Sequence, residues 1–325
     1  MGDRTGISWT DATWNPVRGC SIVSTGCANC YAMRVAARFS GEGQPYEGLT
    51  TRGAWNGQIR VVREKFDQPL RWARPRRIFV NSMSDLFHSG ITFGEKAMIF
   101  AVMALASRHT FQVLTKRPDE MLAFMTAPGA HQLVLHHMDA IAHQIEGEWS
   151  KAQLLACYAA TEAEHQARRA WPPRNVHLGI SAENQETLDA RWPLLAQTPA
   201  ALRFVSAEPL LGEMAIGHLL PDAGLRTRTT SAWRGAPAID WIIVGGESAQ
   251  RKAARSCDVA WIRSIVAECR GRIPCFVKQL GANILTDQRT RPEGESWVWT
   301  SLIKDRAGAD PGEWPDDLRV QEFPR

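Results

Sequence analysis

The chain of 325 residues lacks several things at once, and each absence closes off a class of protein. No apolar run approaches the roughly 20 residues that span a bilayer, and no charged-then-apolar leader opens the chain. A protein of the cytoplasm, away from any membrane, is therefore expected (the host cytoplasm, should the chain be phage-encoded). Seven cysteines are too sparse over this length for a disulfide-stapled secreted domain. Neither charge sign dominates: 38 Lys and Arg against 34 Asp and Glu leave a formal net charge of +4. That balance admits an acidic partner such as nucleic acid without requiring one. No internal repeat of fixed period recurs. Thirteen tryptophans are many, and are expected as core and edge anchors.

What is present is a concentration of thiols. Cys20, Cys27 and Cys30 stand in the spacing Cys-x6-Cys-x2-Cys, and no fourth cysteine or nearby histidine completes the set. A structural zinc site is closed by four protein ligands. Three thiolates suit a metal or cluster with one position open, such as a cubane iron–sulfur cluster with one iron free to bind a small molecule. Cys157, Cys257, Cys269 and Cys275 are scattered and read as small buried hydrophobes.

Short apolar runs recur, most ending in a polar cluster. Ile78–Val80 leads into Asn81-Ser82-Met83-Ser84-Asp85, Phe111–Leu114 into Thr115-Lys116-Arg117-Pro118, and Val176–Ile180 into Ser181-Ala182-Glu183-Asn184. Arg203–Val205 leads into Ser206-Ala207-Glu208-Pro209, Trp241–Val244 into Gly245-Gly246-Glu247-Ser248, and Pro274–Val277 into Lys278-Gln279. These runs are too short for helices and are rich in β-branched and aromatic residues, so they read as buried strands. A first strand is expected around Ile7 to Trp14. Helical stretches lie between most of them, among them Thr92 to Ser107 and Asp258 to Arg270, the latter with Asp258 as N-cap and Gly271 as stop. Strands alternating with helices predict an α/β fold with a parallel sheet, a full or partial parallel β/α barrel. In such a barrel the polar clusters gather at the carboxyl ends of the strands, where sites are built.

One barrel domain over 1–325 is expected, with two additions. Residues 128–173, carrying His131, His136, His137, His143 and His165, read as a helical insertion with solvated faces. Residues 282–325, with Trp297, Trp299 and Trp314, read as an extension packed on the barrel. Asp222 to Pro237, with Arg226, Arg228 and Arg234, reads as a mobile loop able to meet phosphate.

The three cysteines, Tyr31 after the third, and the strand–helix alternation resemble the radical S-adenosylmethionine superfamily. From about Ile7 to Pro324 the chain more closely resembles a phage- and prophage-associated family of uncharacterised proteins. That likeness rests on Ile7-Ser-Trp-Thr10, Thr13-Trp-Asn-Pro16, Cys27-Ala-Asn-Cys30-Tyr-Ala32, Ser82-Met-Ser-Asp85-Leu-Phe-His88, Leu114-Thr-Lys-Arg-Pro118, Gly179-Ile-Ser-Ala-Glu-Asn184, Val244-Gly-Gly-Glu-Ser248, Lys278-Gln279 and Trp314-Pro-Asp-Asp-Leu-Arg-Val320.

The superfamily resemblance implies a barrel of the radical-enzyme type. It further implies a [4Fe-4S] cluster on Cys20, Cys27 and Cys30, S-adenosylmethionine on the free iron, and a flavodoxin- or ferredoxin-like electron donor. Two departures are visible: six residues separate the first two cysteines where the superfamily usually has three, and Gly245-Gly246-Glu247 falls several strands after the second, where a Gly-Gly-Glu motif often sits. By position, Ser82, Ser84 or Asp85 would hold the methionine amino group. Lys116 and Arg117 would hold a carboxylate or phosphate, Ser181, Glu183 and Asn184 ribose or substrate, and Gly245, Gly246 and Glu247 substrate or ribose. Glu183, Glu208 and Lys278 are the expected catalytic groups, with Gln279 beside Lys278. His88 is expected to pack on the rim, and Asn15 and Arg18 to steady the cysteine loop. Phage association suggests modification or repair of a nucleic-acid base or nucleotide, with Arg71, Arg74, Arg76 and Arg77 on phosphates. The competing readings are a non-catalytic metal or cluster protein that binds DNA or a partner, with Cys257, Cys275 or His88 as fourth ligand, and a hydrolase using Glu183 and Glu208 as acid and base.

Overall fold

The computed structural model describes residues 5–148, 169–221, 237–248, 254–285 and 303–324. Seven strands form one sheet: β1 (Ala12–Trp14), β2 (Arg77–Val80), β3 (Thr110–Thr115), β4 (Val176–Ser181), β5 (Leu202–Ala207), β6 (Trp241–Gly245) and β7 (Cys275–Gln279). They lie in strict chain order. Parallel pairing runs from β1 to β2 to β3 and from β5 to β6 to β7. Parallel neighbours need a crossover, and helices supply most of them: α1 (Tyr31–Arg38), α2 (Phe93–Leu105), α3 (Pro118–Thr126), α4 (Ala130–Glu148), α5 (Gln185–Gln197) and α6 (Val259–Cys269). A strand order that never reverses is the order of a β/α barrel, not of a doubly wound sheet. The expected α/β class and parallel sheet are present. The first strand is shorter than expected: Ile7 to Thr10 forms a turn, the Thr10 amide donating to the Ile7 carbonyl at 3.3 Å.

Contacts divide the chain into two compact units. The first comprises residues 1–22, 35–179 and 197–202. Its β2 and β3 bury Ile78, Val80, Phe111 and Val113 completely or nearly so. Helix α2 begins at a capping box in which the Thr92 hydroxyl accepts from the Glu95 amide and Glu95 accepts from the Thr92 amide. Its Phe100 ring lies 6.4 Å from Phe87, 5.1 Å from Phe124 and 5.8 Å from Trp171. Each such buried side chain contributes about 1.5–3 kcal/mol. Helix α4 occupies the start of the stretch read as an insertion. It packs along α2 with Ala130, Val134 and Met138 buried. His131 stacks on Trp171, while His165 lies outside the described residues.

The second unit comprises residues 23–34, 180–196 and 203–325. All of β6 is buried, the apolar run expected of an interior parallel strand. Helix α6 starts at Asp258, whose carboxylate accepts from the Ala260 amide at 2.9 Å, and stops before Gly271 at φ +72°. The tail returns along β7: the Val277 amide donates to the Val320 carbonyl at 2.8 Å and the Glu322 amide to the Cys275 carbonyl at 2.9 Å. Trp314 is buried in this unit. Trp297, Trp299 and the arginine loop from Asp222 to Ala236 lie outside the described residues. Among those described, no helix is long and apolar enough to cross a membrane.

Candidate functional site

In the first unit the polar ends of β1, β2 and β3 converge on Cys20. Past β2 the chain turns at Asn81, which holds φ +58°. Asn81 accepts from the Val17 amide at 3.3 Å, and Gly19 bridges to Ser84. Asp85 is the hub. One carboxylate oxygen accepts from the Thr115 hydroxyl at 2.7 Å and the Phe87 amide at 3.0 Å. The other accepts from the Lys116 amide at 3.1 Å and from Arg117 Nη1 at 2.9 Å. Arg117 and Asp85 keep only 11% and 8% of their side chains exposed.

From there Arg117 reaches the cysteine loop. Nη1 donates to Cys20 Sγ at 3.9 Å, and Nη2 donates to the Ser21 carbonyl at 3.1 Å and hydroxyl at 2.8 Å. Burial alone would lower the Arg117 pKa, but Asp85 and Cys20 more than offset it, so the guanidinium stays charged. The Ser21 hydroxyl also lies 2.9 Å from His88 Nε2. His88 Nδ1 accepts from the Gly90 amide at 3.0 Å, so the neutral ring carries its proton on Nε2 and donates to Ser21. Burial, then Arg117, push the His88 pKa down. With its lone pairs occupied by two donors and no base beside it, Ser21 is an anchor, not a nucleophile.

This arrangement changes several expected roles. Asp85 has no oxygen left over for a methionine amino group. The Ser82 hydroxyl donates to Asn15 at 3.2 Å and the Met83 amide does so at 3.0 Å, so Asn15 holds the turn after β2, whereas it was expected to steady the cysteine loop. The Ser84 hydroxyl is buried without a hydrogen-bond partner. Lys116 enters the network through its backbone. Arg18 leaves the loop, donating to the Pro45 carbonyl at 3.1 Å and lying over the Tyr46 ring. The arginine run sits at the amino end of β2, away from the carboxyl end that carries the Cys20 network. Arg71 pairs with Asp67, Arg76 lies over Trp72, and Arg77 pairs with Asp11 at 2.8 Å.

In the second unit two buried carboxylates hold the segment that carries Cys27 and Cys30. Glu183, following β4, is fully buried and pairs with Arg191 of α5 at 3.0 Å. It accepts from the Ser24 hydroxyl at 2.8 Å. Gly26 lies against it so closely that a Cβ there would sit 2.1 Å from Glu183 Oε1. Glu247, following β6, is 5% exposed. It pairs with Arg255 and accepts from Asn29 Nδ2 at 2.8 Å, while Arg255 Nη1 donates to the Thr25 carbonyl at 2.7 Å. Burial alone would raise the Glu247 pKa, but the hydrogen bonds from Arg255 and Asn29 outweigh it and hold the carboxyl below its ordinary value. Glu183 and Glu247 are thus occupied with loop anchoring. Glu183, one of the expected catalytic groups, is placed out of water against Arg191 and Ser24.

Glu208 and Lys278 form a separate pair in the same unit. Lys278 Nζ lies 3.0 Å from Glu208 Oε1, with 24% and 12% of the side chains exposed. The approach is a charge contact, not an aligned hydrogen bond. Ser206 donates to the other oxygen of Glu208 at 3.2 Å, and Ser181 donates to the Glu208 carbonyl at 2.9 Å. Asn184 accepts from the Thr187 amide at 3.0 Å at the start of α5 and is occupied as a cap. At Gly245 a Cβ would lie 2.8 Å from Glu208 Oε1, and at Gly246 2.4 Å from the Leu280 carbonyl. The glycine pair serves close backbone packing, and Gln279 Nε2 seals it by donating to the Gly246 carbonyl at 2.6 Å. Lys278 and Glu208 keep a partly exposed, mutually charged pair, of a kind suited to proton transfer.

The anchors Ser21, Ser24, Asn29, Arg191 and Arg255 were not singled out by sequence reasoning. Ser21, Ser24 and Asn29 lie far along the chain from their partners. Arg191 and Arg255 stand only eight residues from Glu183 and Glu247, but no local pattern marks them. Cys20, Cys27 and Cys30 are half-buried and in no disulfide, whereas Cys257, Cys269 and Cys275 are buried. Among the described residues no group of three or more His, Cys, Asp and Glu is drawn together as a ready-made metal site. The donor chemistry still suits thiolate ligation with an open position, since the expected fourth ligands are engaged. His88 is taken by Ser21 and Gly90, Cys275 touches Cys269, and burial pushes the Cys257 thiol up to about 12.

The fold is that of an α/β protein built on a parallel sheet. The chain belongs to a family described as "Protein of unknown function (DUF5131)", whose model matches residues 4–307. No curated protein and no solved structure matches it.

Proposed function

We propose that this protein is a radical S-adenosylmethionine enzyme in which Cys20, Cys27 and Cys30 hold a [4Fe-4S] cluster, on a barrel of the type that superfamily uses. One observation carries the reading. The segment from Ser21 to Asn29 is tied down by Arg117, Glu183, Glu247 and Arg255, while the three thiols it carries or adjoins stay half-exposed and undisulfided. Such fixing of a loop is what ligand thiols need and buried structural cysteines do not. The chemistry such a cluster supplies when bound is one-electron cleavage of S-adenosylmethionine to a hydrogen-abstracting 5′-deoxyadenosyl radical. The chain's own part is to set the ligand loop and to keep Lys278 and Glu208 as the proton-handling pair near substrate. An electron donor of the flavodoxin or ferredoxin kind is required. A nucleic-acid base or nucleotide remains the proposed substrate, on the strength of the phage-family resemblance. The arginine run gives it no support, because it lies at the amino end of β2, away from the Cys20 network.

The test is anaerobic purification and reconstitution, followed by assay of iron, sulfide and dithionite-dependent formation of 5′-deoxyadenosine. About four irons per chain with cleavage is expected, and Cys27→Ala should lose both while keeping the fold. Tightly bound zinc without cleavage would overturn the reading in favour of a non-catalytic binding protein.

A further inference from the structure

Arg117 is the residue whose placement the proposed chemistry does not yet explain. Its guanidinium does two things at once. It ties down the backbone and hydroxyl of Ser21, and it lays a full positive charge on Cys20 Sγ at 3.9 Å. The charge is held there by construction. Asp85, which accepts Arg117 at 2.9 Å, is itself fixed by Thr115, by the Phe87 amide and by the Lys116 amide, so the pair has no room to swing. The neighbour of Cys27 is of another kind: the neutral Ser24 hydroxyl, 4.0 Å from its sulfur. A hydrogen-bonding cation beside a ligand sulfur stabilises the more negative, reduced state of a thiolate-bound cluster, and such contacts are among the levers that set cluster potentials.

We propose that Arg117 is a positioning residue that acts through Cys20: a fixed counter-charge on one ligand thiolate, raising the reduction potential of the cluster held by the cysteine loop. The proposal rests on the cluster reading above. It adds that the potential is set unevenly, from the Cys20 side, by the Asp85–Arg117 pair. It also separates Arg117 from a substrate-binding role, since every nitrogen contact described for its head group lies within the network.

The experiment is an equilibrium redox titration of the reconstituted protein, followed by the electron paramagnetic resonance signal of the reduced cluster, for the parent, Arg117→Gln and Arg117→Lys. Arg117→Gln keeps an amide donor and removes the charge, so its midpoint should move to a more negative potential. Arg117→Lys keeps a charge on a shorter stem that retreats from the sulfur, so it should move the midpoint the same way by less. Should Arg117→Gln fail to fold or load, the Lys variant decides the matter alone. Midpoints indistinguishable from the parent would overturn the role of Arg117 and leave the cluster reading intact. A parent protein that takes up no iron and sulfide would overturn both.

Discussion

At the residue scale the cysteine segment depends on charges that are expensive to disturb. Glu183 is fully buried and its partner Arg191 nearly so. Removing one member of such a pair strands the other charge out of water, at a cost of about 3–5 kcal/mol. Glu183→Gln should therefore lower the urea-unfolding free energy by that order, and Gly26→Ala, whose methyl would collide with the same carboxylate, by about 1–3 kcal/mol. In both variants Cys27 and Cys30 should alkylate faster in the native protein, because the loop is released. Unchanged stability and unchanged thiol reactivity would show that the carboxylate does not anchor the loop. The three thiols stood out in the sequence because their spacing is local. Their anchors did not. Asn29 meets Glu247 across 218 positions, and a glutamate after a strand looks the same in sequence whether it faces substrate or an arginine.

At the element scale most of the fold could be read directly. β2, β3, β4 and β6 fall within a residue of the apolar runs that announced them, because a strand of an interior parallel sheet is apolar on both faces. β1 was overestimated: Trp9 is buried like a strand residue, yet the chain turns at Thr10, and burial without regular pairing is invisible to pattern. Helix ends were legible where caps are local. Thr92 caps α2 through its hydroxyl, so Thr92→Ala should destabilise the protein by about 1 kcal/mol, read as a shift of the urea midpoint with an unchanged slope. No shift would mean that the first turn of α2 is held by packing and not by its cap.

At the scale of the whole molecule, the buried His109 and the half-buried His177 tie stability to pH. His109 and His177 are both pushed down to about 4, mainly by burial, from an ordinary value near 6.5. Between those values the unfolded chain binds more protons than the native one, so stability falls as pH falls. The contribution of neutral burial is fully present above about pH 6.5 and is lost as pH drops towards 4. Unfolding midpoints should be level from pH 8 to 7 and decline between 6.5 and 5, and the double variant His109→Gln, His177→Gln should decline less over that interval. Equal slopes for parent and variant would assign the acid sensitivity to other groups. The anchoring of the cysteine segment bears on transplantation. Copied alone into another protein, the eleven residues from Cys20 to Cys30 would arrive without the carboxylates and arginines that hold them. A recipient scaffold would have to receive Asp85 and Arg117 as well before Cys20 was held as it is here, and Glu183, Arg191, Glu247 and Arg255 before the segment of Cys27 and Cys30 was.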